Sequence, residues 1–445
     1  MHNTKKRPMH NTRKKTVSGI AAAMLLVGFG AARSRADELV QLPPPAPAAV
    51  TPAPTTTAPA PATAPGAAAP PAAAPAAAAP AAAPTSPLIG PALAGPLTIQ
   101  LPPPKYTLGP LGDIYVDGIA SGLGQWQNNP FPGNRSWQPD LSNGQVFVQK
   151  TDGIFQFYAQ GGAYSIASLG ASYISTAEAT IGSNSPAGNL WGWFPVGFVK
   201  IAPNDKFSLE AGKLPTLIGA EDTFSFQNIN IERGLLWNQE PAISKGGQAN
   251  YTIGPMALSL SFNDGFDSGV WNWVSGSATY TINSANTFEF SAGGNVGKTN
   301  IATLRSPLLL NNSQIYDLIY TYNSDPWIVQ PYFQATHVPT NLSLYGPSAS
   351  TFGGAVLVNY DLGSGFNLGG RLEYIGTTGS NNLLYGPGSG AFSFTFTPTY
   401  QYKYYFARAE FSWVKANGVT AGLGLGPNLD GNSQTRVMLE TGILF

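Results

Sequence analysis

Across 445 residues the chain has no Cys, 10% charged side chains and a mean hydropathy of −0.04, against about 25% charged residues in an ordinary soluble domain. This excludes disulfides, thiolate metal sites, a Cys-anchored lipoprotein and Cys nucleophiles, and it suits a chain whose residues alternate between lipid and water. The formal net charge of +0 hides an asymmetry: residues 1–36 carry eight Lys or Arg and no acid, and the remainder holds 15 basic against 23 acidic side chains, which argues against a nucleic-acid partner.

The chain opens on a basic stretch, Lys5 to Lys15, then an apolar run from Gly19 to Ala32, then Ser34-Arg35-Ala36 before Asp37. Small residues at Ser34 and Ala36 fit a secretory signal peptide cleaved after Ala36. The run is too short for a comfortable transmembrane anchor, which needs about 20 apolar residues. Residues 37–104 are dominated by Ala and Pro. Proline removes donors and breaks helices, so this tract is expected to be a disordered, extended linker. At about 3.1 Å per residue the run from Pro43 to Pro104 would reach at most roughly 190 Å. It reads either as a tether without a partner or as a segment that threads toward the cell wall.

From residue 105 onward the expected domain is all-β. Segments of about ten residues alternate with period 2, the strand signature. Around Gly254-Pro255, Ala249, Tyr251 and Ile253 alternate with Gln248, Asn250 and Thr252, and Met256, Leu258, Leu260 and Phe262 follow after the turn. The pattern persists to Val437, Leu439, Thr441, Ile443 and Phe445.

The charges test which phase faces water. Asp113, Asp117, Lys200, Glu210, Glu289, Asp317, Arg371, Glu373, Arg408, Glu410, Arg436 and Glu440 all fall on the polar phase. A Lys or Arg on a lipid face costs about 2–4 kcal/mol at the midplane, so this segregation indicates a transmembrane antiparallel β-barrel with these side chains lining its lumen. A soluble sandwich would also alternate, but it would usually carry more surface charge.

Seven short turns alternate with eight longer polar loops, at about 121–143, 165–193, 214–245, 264–272, 297–313, 337–350, 377–390 and 414–434. Fifteen connections give sixteen strands, with both termini on the short-turn, periplasmic side. Val419–Gly426 could be a further strand, but counting it would separate the termini, so it is assigned to the last loop. Tyr251, Tyr280 with Phe288, Tyr322 with Trp327, Tyr360 with Phe366, and Tyr400 with Tyr405 flank the short turns, as an interfacial girdle requires.

Glu210-Ala-Gly-Lys213, with Gly219, Glu221, Asn230, Arg233, Pro241 and Gly247, resembles a segment of the OmpL-like β-barrel porin family of Gram-negative outer membranes. So does the close, Gln434-Thr-Arg-Val-Met-Leu-Glu-Thr-Gly-Ile-Leu-Phe445. The resemblance covers roughly residues 110–445. It implies an outer-membrane location and porin-like transport, and supplies no catalytic residues. Phe445 after alternating apolar residues resembles the signal read by the outer-membrane insertion machinery, an expected partner alongside outer-membrane lipid.

A sixteen-stranded lumen is wide enough for a water channel. The lumen-facing set holds eight acids and four bases, which points to passive diffusion of small hydrophilic solutes or ions with a weak cation preference. Pairing of Arg371 with Glu373, or Arg408 with Glu410, would instead brace the wall. Loop 214–245 carries Glu221, Asp222, Glu232, Arg233 and Glu240 among Phe224, Phe226, Ile229, Leu235 and Trp237, and is the candidate constriction. Two rival classes are a structural or adhesive barrel with an occluded lumen, and a barrel hydrolase. Hydrolysis usually needs a His base; His2 and His10 leave with the signal, and His337 sits at a strand end before Val338-Pro339. No cofactor or metal is expected: the Gly-rich stretch Gly422–Gly426 lacks a phosphate-loop Lys and Glu221-Asp222 lacks calcium-loop spacing. Sixteen-stranded porins commonly trimerise, so a homo-oligomer is among the expected assemblies.

Overall fold

The computed structural model describes residues 96–176 and 188–445. The expected signal peptide, the cleavage site after Ala36 and the Ala/Pro tract as far as residue 95 lie outside the described residues.

Among the described residues seventeen strands follow in chain order: β1 Lys105–Thr107, β2 Asp113–Gln127, β3 Trp137–Lys150, β4 Phe155–Tyr164, β5 Val196–Asn204, β6 Phe207–Pro215, β7 Ile243–Ile253, β8 Met256–Asn263, β9 Trp273–Asn283, β10 Asn286–Asn295, β11 Gln314–Ser324, β12 Trp327–Val338, β13 Ala349–Gly363, β14 Phe366–Gly379, β15 Gly390–Tyr402, β16 Tyr405–Asn417 and β17 Ser433–Leu444. From β2 each strand pairs antiparallel with the next. β17 returns to β2, with Arg436 opposite Gln127 and Leu444 opposite Ile119. The result is a closed sixteen-stranded antiparallel barrel, so every interior ladder is paired and no edge is left for a membrane to expose.

The short β1 lies beyond this ring, in line with β17. Gly118 and Phe445 exchange both backbone hydrogen bonds, at 2.8 and 3.0 Å, Val116 N donates to Pro104 O at 3.0 Å, and Lys105 then faces Tyr115. The ring of Phe445 lies where a Cβ on Gly118 would stand. Glycine at 118 thus permits this close approach along the seam.

Alternation sorts the two faces as expected. Leu260, Phe262, Phe290, Leu318, Phe333, Leu372, Phe394, Phe396, Phe411 and Leu439 are exposed on the outer surface, while Asp117, Asp317, Arg371, Glu373, Arg408, Glu410, Arg436 and Glu440 are buried inside. Next to the short turns, Trp327 packs at a tilt against Tyr360 and Phe366 against Tyr400, each pair with ring centroids 4.4 Å apart. The connections alternate short and long as the sequence indicates, and Val419–Gly426 lies in the last loop between β16 and β17. Loop bounds move by at most four residues except at one loop. The expected loop at 121–143 shrinks to 128–136, because β2 runs to Gln127 and β3 begins at Trp137. There Gly122 and Gly124 occupy the outward phase, so between Ala120 and Trp126 the strand offers no apolar side chain to mark its alternation.

Candidate functional site in the barrel lumen

The connection between β6 and β7, residues 216–242, turns back into the barrel. Its sequence favours this: Ile218, Phe224, Phe226, Ile229, Ile231, Leu235, Leu236 and Trp237 are all buried, and a loop in open water would leave such side chains wet. Gly219 has φ +87°, and a Cβ there would run into the Glu240 carboxylate. Short 3-10 turns at Ser225–Gln227 and Trp237–Gln239 fold the segment tightly. Phe224 and Phe226 join an aromatic row with Phe147 of β3, Tyr158 of β4 and Phe198 of β5, with neighbouring centroids 5.6 to 6.3 Å apart.

Another stretch of wall, on β14, β16 and β17, holds the loop by charge. Arg408 donates to the carbonyls of Ser225 (2.9 Å), Asn228 (3.0 Å) and Ile229 (2.7 Å). Glu410 accepts from the backbone N–H of Ile231 (2.5 Å) and Glu232 (3.0 Å), and Glu373 from those of Leu235 and Leu236, both at 2.8 Å. Arg371 pairs with Glu221 and donates to Glu232 O at 2.8 Å. Arg436 pairs with Glu232 at 2.5 Å, and Glu440 accepts from Ser225 Oγ at 2.9 Å. Four side chains from β14 and β16 (Arg371, Glu373, Arg408 and Glu410) thus satisfy main-chain groups of an irregular segment at membrane depth, and Arg436 and Glu440 of β17 hold its side chains. Such backbone is tolerated there only when protein or water covers it.

Each sequence-selected residue can now be placed. Asp113 sits at the short-turn rim, bonded to Lys105 (2.9 Å) and Thr107 Oγ1 (2.6 Å). Asp117 is buried against Gln149 Nε2 at 3.1 Å. Lys200 pairs with Glu210 across β5 and β6 at 3.2 Å, and Glu289 accepts from Thr279 Oγ1 at 2.9 Å. Asp317 is buried on β11, and Glu240 of the loop accepts from Gln334 Nε2 at 2.8 Å. Arg371 reaches Glu373 only at 3.8 Å, its closer partner being Glu221, and Arg408 pairs with Glu440 at 3.6 Å rather than with Glu410. Arg233 is buried within the loop, 5.3 Å from the Trp237 ring centre, as in a cation–π contact.

Residues 165–176, which follow β4, also fold inward, which the sequence reading did not single out. Arg436 donates to Ser168 O (2.7 Å) and Ala171 O (2.6 Å), Arg233 N to Ala167 O (3.1 Å), and Asn238 Nδ2 to Leu169 O (2.9 Å). The alternation of Ile166, Leu169 and Tyr173 with Ser165, Ser168 and Ser172 was its only local signal.

Packing is one-sided. Apart from positions beside the short turns, the lumen-facing side chains of β13–β17 and β2–β4 are nearly all buried. On β5–β12 the halves nearest the short turns stay partly open, including Lys200, Glu210, Gln248, Asn250, Ser259, Thr279, Glu289, Thr321 and Gln330. Two cavities lie along this side. One of about 270 Å³ is lined by Lys200, Glu210, Gln248, Asn250 and Leu217. The other, about 140 Å³, is lined by Gly219, Glu221, Asp222, Glu289, Thr321 and Gln330. Burial pushes Asp222 up to about 7, with the Glu221 charge adding to it. Burial also raises Glu221 against the pull of Arg371, and lowers Arg233 to about 10 against its acidic neighbours.

A closed, outward-apolar barrel whose wide lumen is narrowed by an inward loop defines a porin-type protein of the outer membrane. Residues 113–445 match the family described as "Putative beta-barrel porin-2, OmpL-like", and the chain belongs to that family. A search of curated protein sequences gave no match. Among solved structures, the barrel is similar to the anion-selective porin from Comamonas acidovorans, at 13% identity over 75% of this chain and 99% of that one, TM-score 0.54. It is also similar to OmpT of Vibrio cholerae, at 10% identity over 76% and 99%, TM-score 0.51. At such identities the likeness concerns the fold.

Proposed function

We propose that this porin passes small hydrophilic solutes and ions by diffusion along the open side of the lumen, between the inward loop and β5–β12, with a weak preference for cations. The observation that carries the reading is the make-up of that lane: Asp222 and Glu289, which form no salt bridge among the described residues, border its narrower cavity beside Glu221, itself paired to Arg371, while its cation Lys200 is paired to Glu210. A passage edged by unpaired acids concentrates cations and repels anions. The short-turn rim is periplasmic in this reading, with both termini on that side. The chain acts as a channel rather than an enzyme: His337 is exposed and shares a 2.8 Å hydrogen bond with Ser350 Oγ, away from the lumenal cavities. Assembly into homo-oligomers belongs to the same proposal, and cross-linking in native membranes tests it.

Reconstitution into planar bilayers under a KCl gradient tests conduction and selectivity together. The expected reversal potential has the sign of a potassium preference; a chloride preference would overturn the selectivity. A second reading, a structural barrel with an occluded lumen, draws on the dense anchoring of the loop. Liposome swelling in small sugars separates the two, since an occluded barrel gives none.

A further inference from the structure

Composition assigns residues 96–101, Pro-Leu-Thr-Ile-Gln-Leu, to the end of the linker. In the structure Leu97 is wholly buried. It belongs to the apolar cluster that contains Ile119 of β2, Phe147 of β3, Phe406 of β16, Leu444 of β17 and Phe226 of the inward loop, and Ile99 packs against the same cluster. The backbone is held as well. Thr98 N donates to Gln401 Oε1 at 3.0 Å, and Gln401 Nε2 donates back to Thr98 O at 2.6 Å. Lys403 N donates to Gln100 Oε1 at 2.8 Å. These contacts lie at the short-turn end of β15, and the segment then runs to Pro104 beside Val116 of β2. A carboxamide carries both a donor and an acceptor, so one buried Gln can pair the N–H and the C=O of a single residue as a neighbouring strand would. Gln401 uses both on Thr98. The wall therefore presents a built seat for one extended, apolar-alternating peptide, and the chain's own segment fills it.

We propose that residues 96–101 are a tethered plug, seated in the short-turn mouth and bracing the inward loop through the cluster they share with Phe226, so that unseating them widens the passage. The widening rests on the pore reading above; the seat itself does not.

Because the chain has no Cys, a single thiol reports the seat. In the full-length reconstituted protein, Leu97→Cys should react with a membrane-impermeant maleimide at least about tenfold more slowly than Leu108→Cys, since burial of such a side chain sets the seated population; Leu108 is exposed. Adding Gln401→Ala should erase most of that protection. In bilayers, Leu97→Asp and Gln401→Ala should each raise single-channel conductance above wild type, with heat-modifiable gel mobility confirming a folded barrel. If Leu97→Asp fails to fold, Gln401→Ala carries the conductance arm alone. Equal labelling at positions 97 and 108 would overturn the seat. Protected labelling with unchanged conductance in Gln401→Ala, even though the thiol becomes reactive, would overturn the plug. A silent wild-type channel would sink the pore reading and the widening with it, while the labelling ratio still decides the seat.

Discussion

Replacing Arg408 by Met keeps an unbranched apolar stem but removes the charge and every donor. Three hydrogen bonds to the loop carbonyls of Ser225, Asn228 and Ile229 are lost together, and the buried Glu440, 3.6 Å away, loses its cation. Hydrogen bonds involving a charged group are worth about 1.5–3 kcal/mol each, or roughly 5–9 kcal/mol for three before solvent responds. Water entering the lumen recovers part of this, and breaking a buried ion pair costs about 3–5 kcal/mol, which is the better figure here. That corresponds to a shift of about two to four powers of ten between seated and released loop. Glu373, Glu410 and Arg436 still hold the rest of the segment, so flicker between conductance levels is expected, not collapse of the barrel. Single-channel recording should show more open-level noise and a higher mean conductance than wild type. Lys415→Ala, at an exposed rim contact with Asn432, should match wild type. A quiet trace with unchanged conductance, from an Arg408→Met barrel of normal heat-modifiable mobility, would refute the claim that this wall anchors the constriction.

Glu289→Gln should reduce the potassium preference in reversal-potential measurements, and an unaltered potential would remove Glu289 from the lane. Asp222, with its carboxyl pushed up to about 7, is neutral below that pH and charged above it, so cation preference should grow between pH 6 and 8; Asp222→Asn should flatten that part of the profile. Gly219→Val combines a left-handed backbone, costing about 1–2 kcal/mol for an L-residue, with collision against Glu240. It should lower the thermal midpoint and raise channel noise, both readable on one purified sample. Phe445→Ala removes the ring that covers Gly118 and should cut the yield of heat-modifiable barrel in cells; a wild-type yield would argue against an assembly role.

The strands were legible because lipid and water impose opposite demands on successive residues, and the charged side chains within the spans obeyed that division, with strand-end residues such as Lys150, Lys213 and Lys415 on the outward phase. The outward end of β2 was hidden since Gly122 and Gly124 carry no polarity to alternate. The inward loop gave a partial signal: Phe224, Phe226 and Trp237 are too apolar for an open surface loop. Its partners could not be read. Arg371 and Glu221 stand 150 positions apart, and their meeting depends on how an irregular segment lies inside a cylinder, which no local period encodes. Neighbouring charges on one strand, such as Arg408 and Glu410, looked like natural pairs, whereas each is drawn instead toward main-chain groups of the loop. Near the start of the described chain, Leu97, Ile99 and Leu101 do alternate with polar residues, but the Ala/Pro tract before them masks so short a run.

The pairing of β17 with β2 bears on how the molecule is made. Until the final strand has been synthesised, β2 and β16 each present a bare row of amides and carbonyls, the kind of surface that recruits foreign strands. A polypeptide cut short before Ser433 would keep both rows, and only a chain that includes its last strand can satisfy them. Closure therefore doubles as a check on completeness: prematurely terminated products should accumulate as aggregates or be degraded before they reach the membrane.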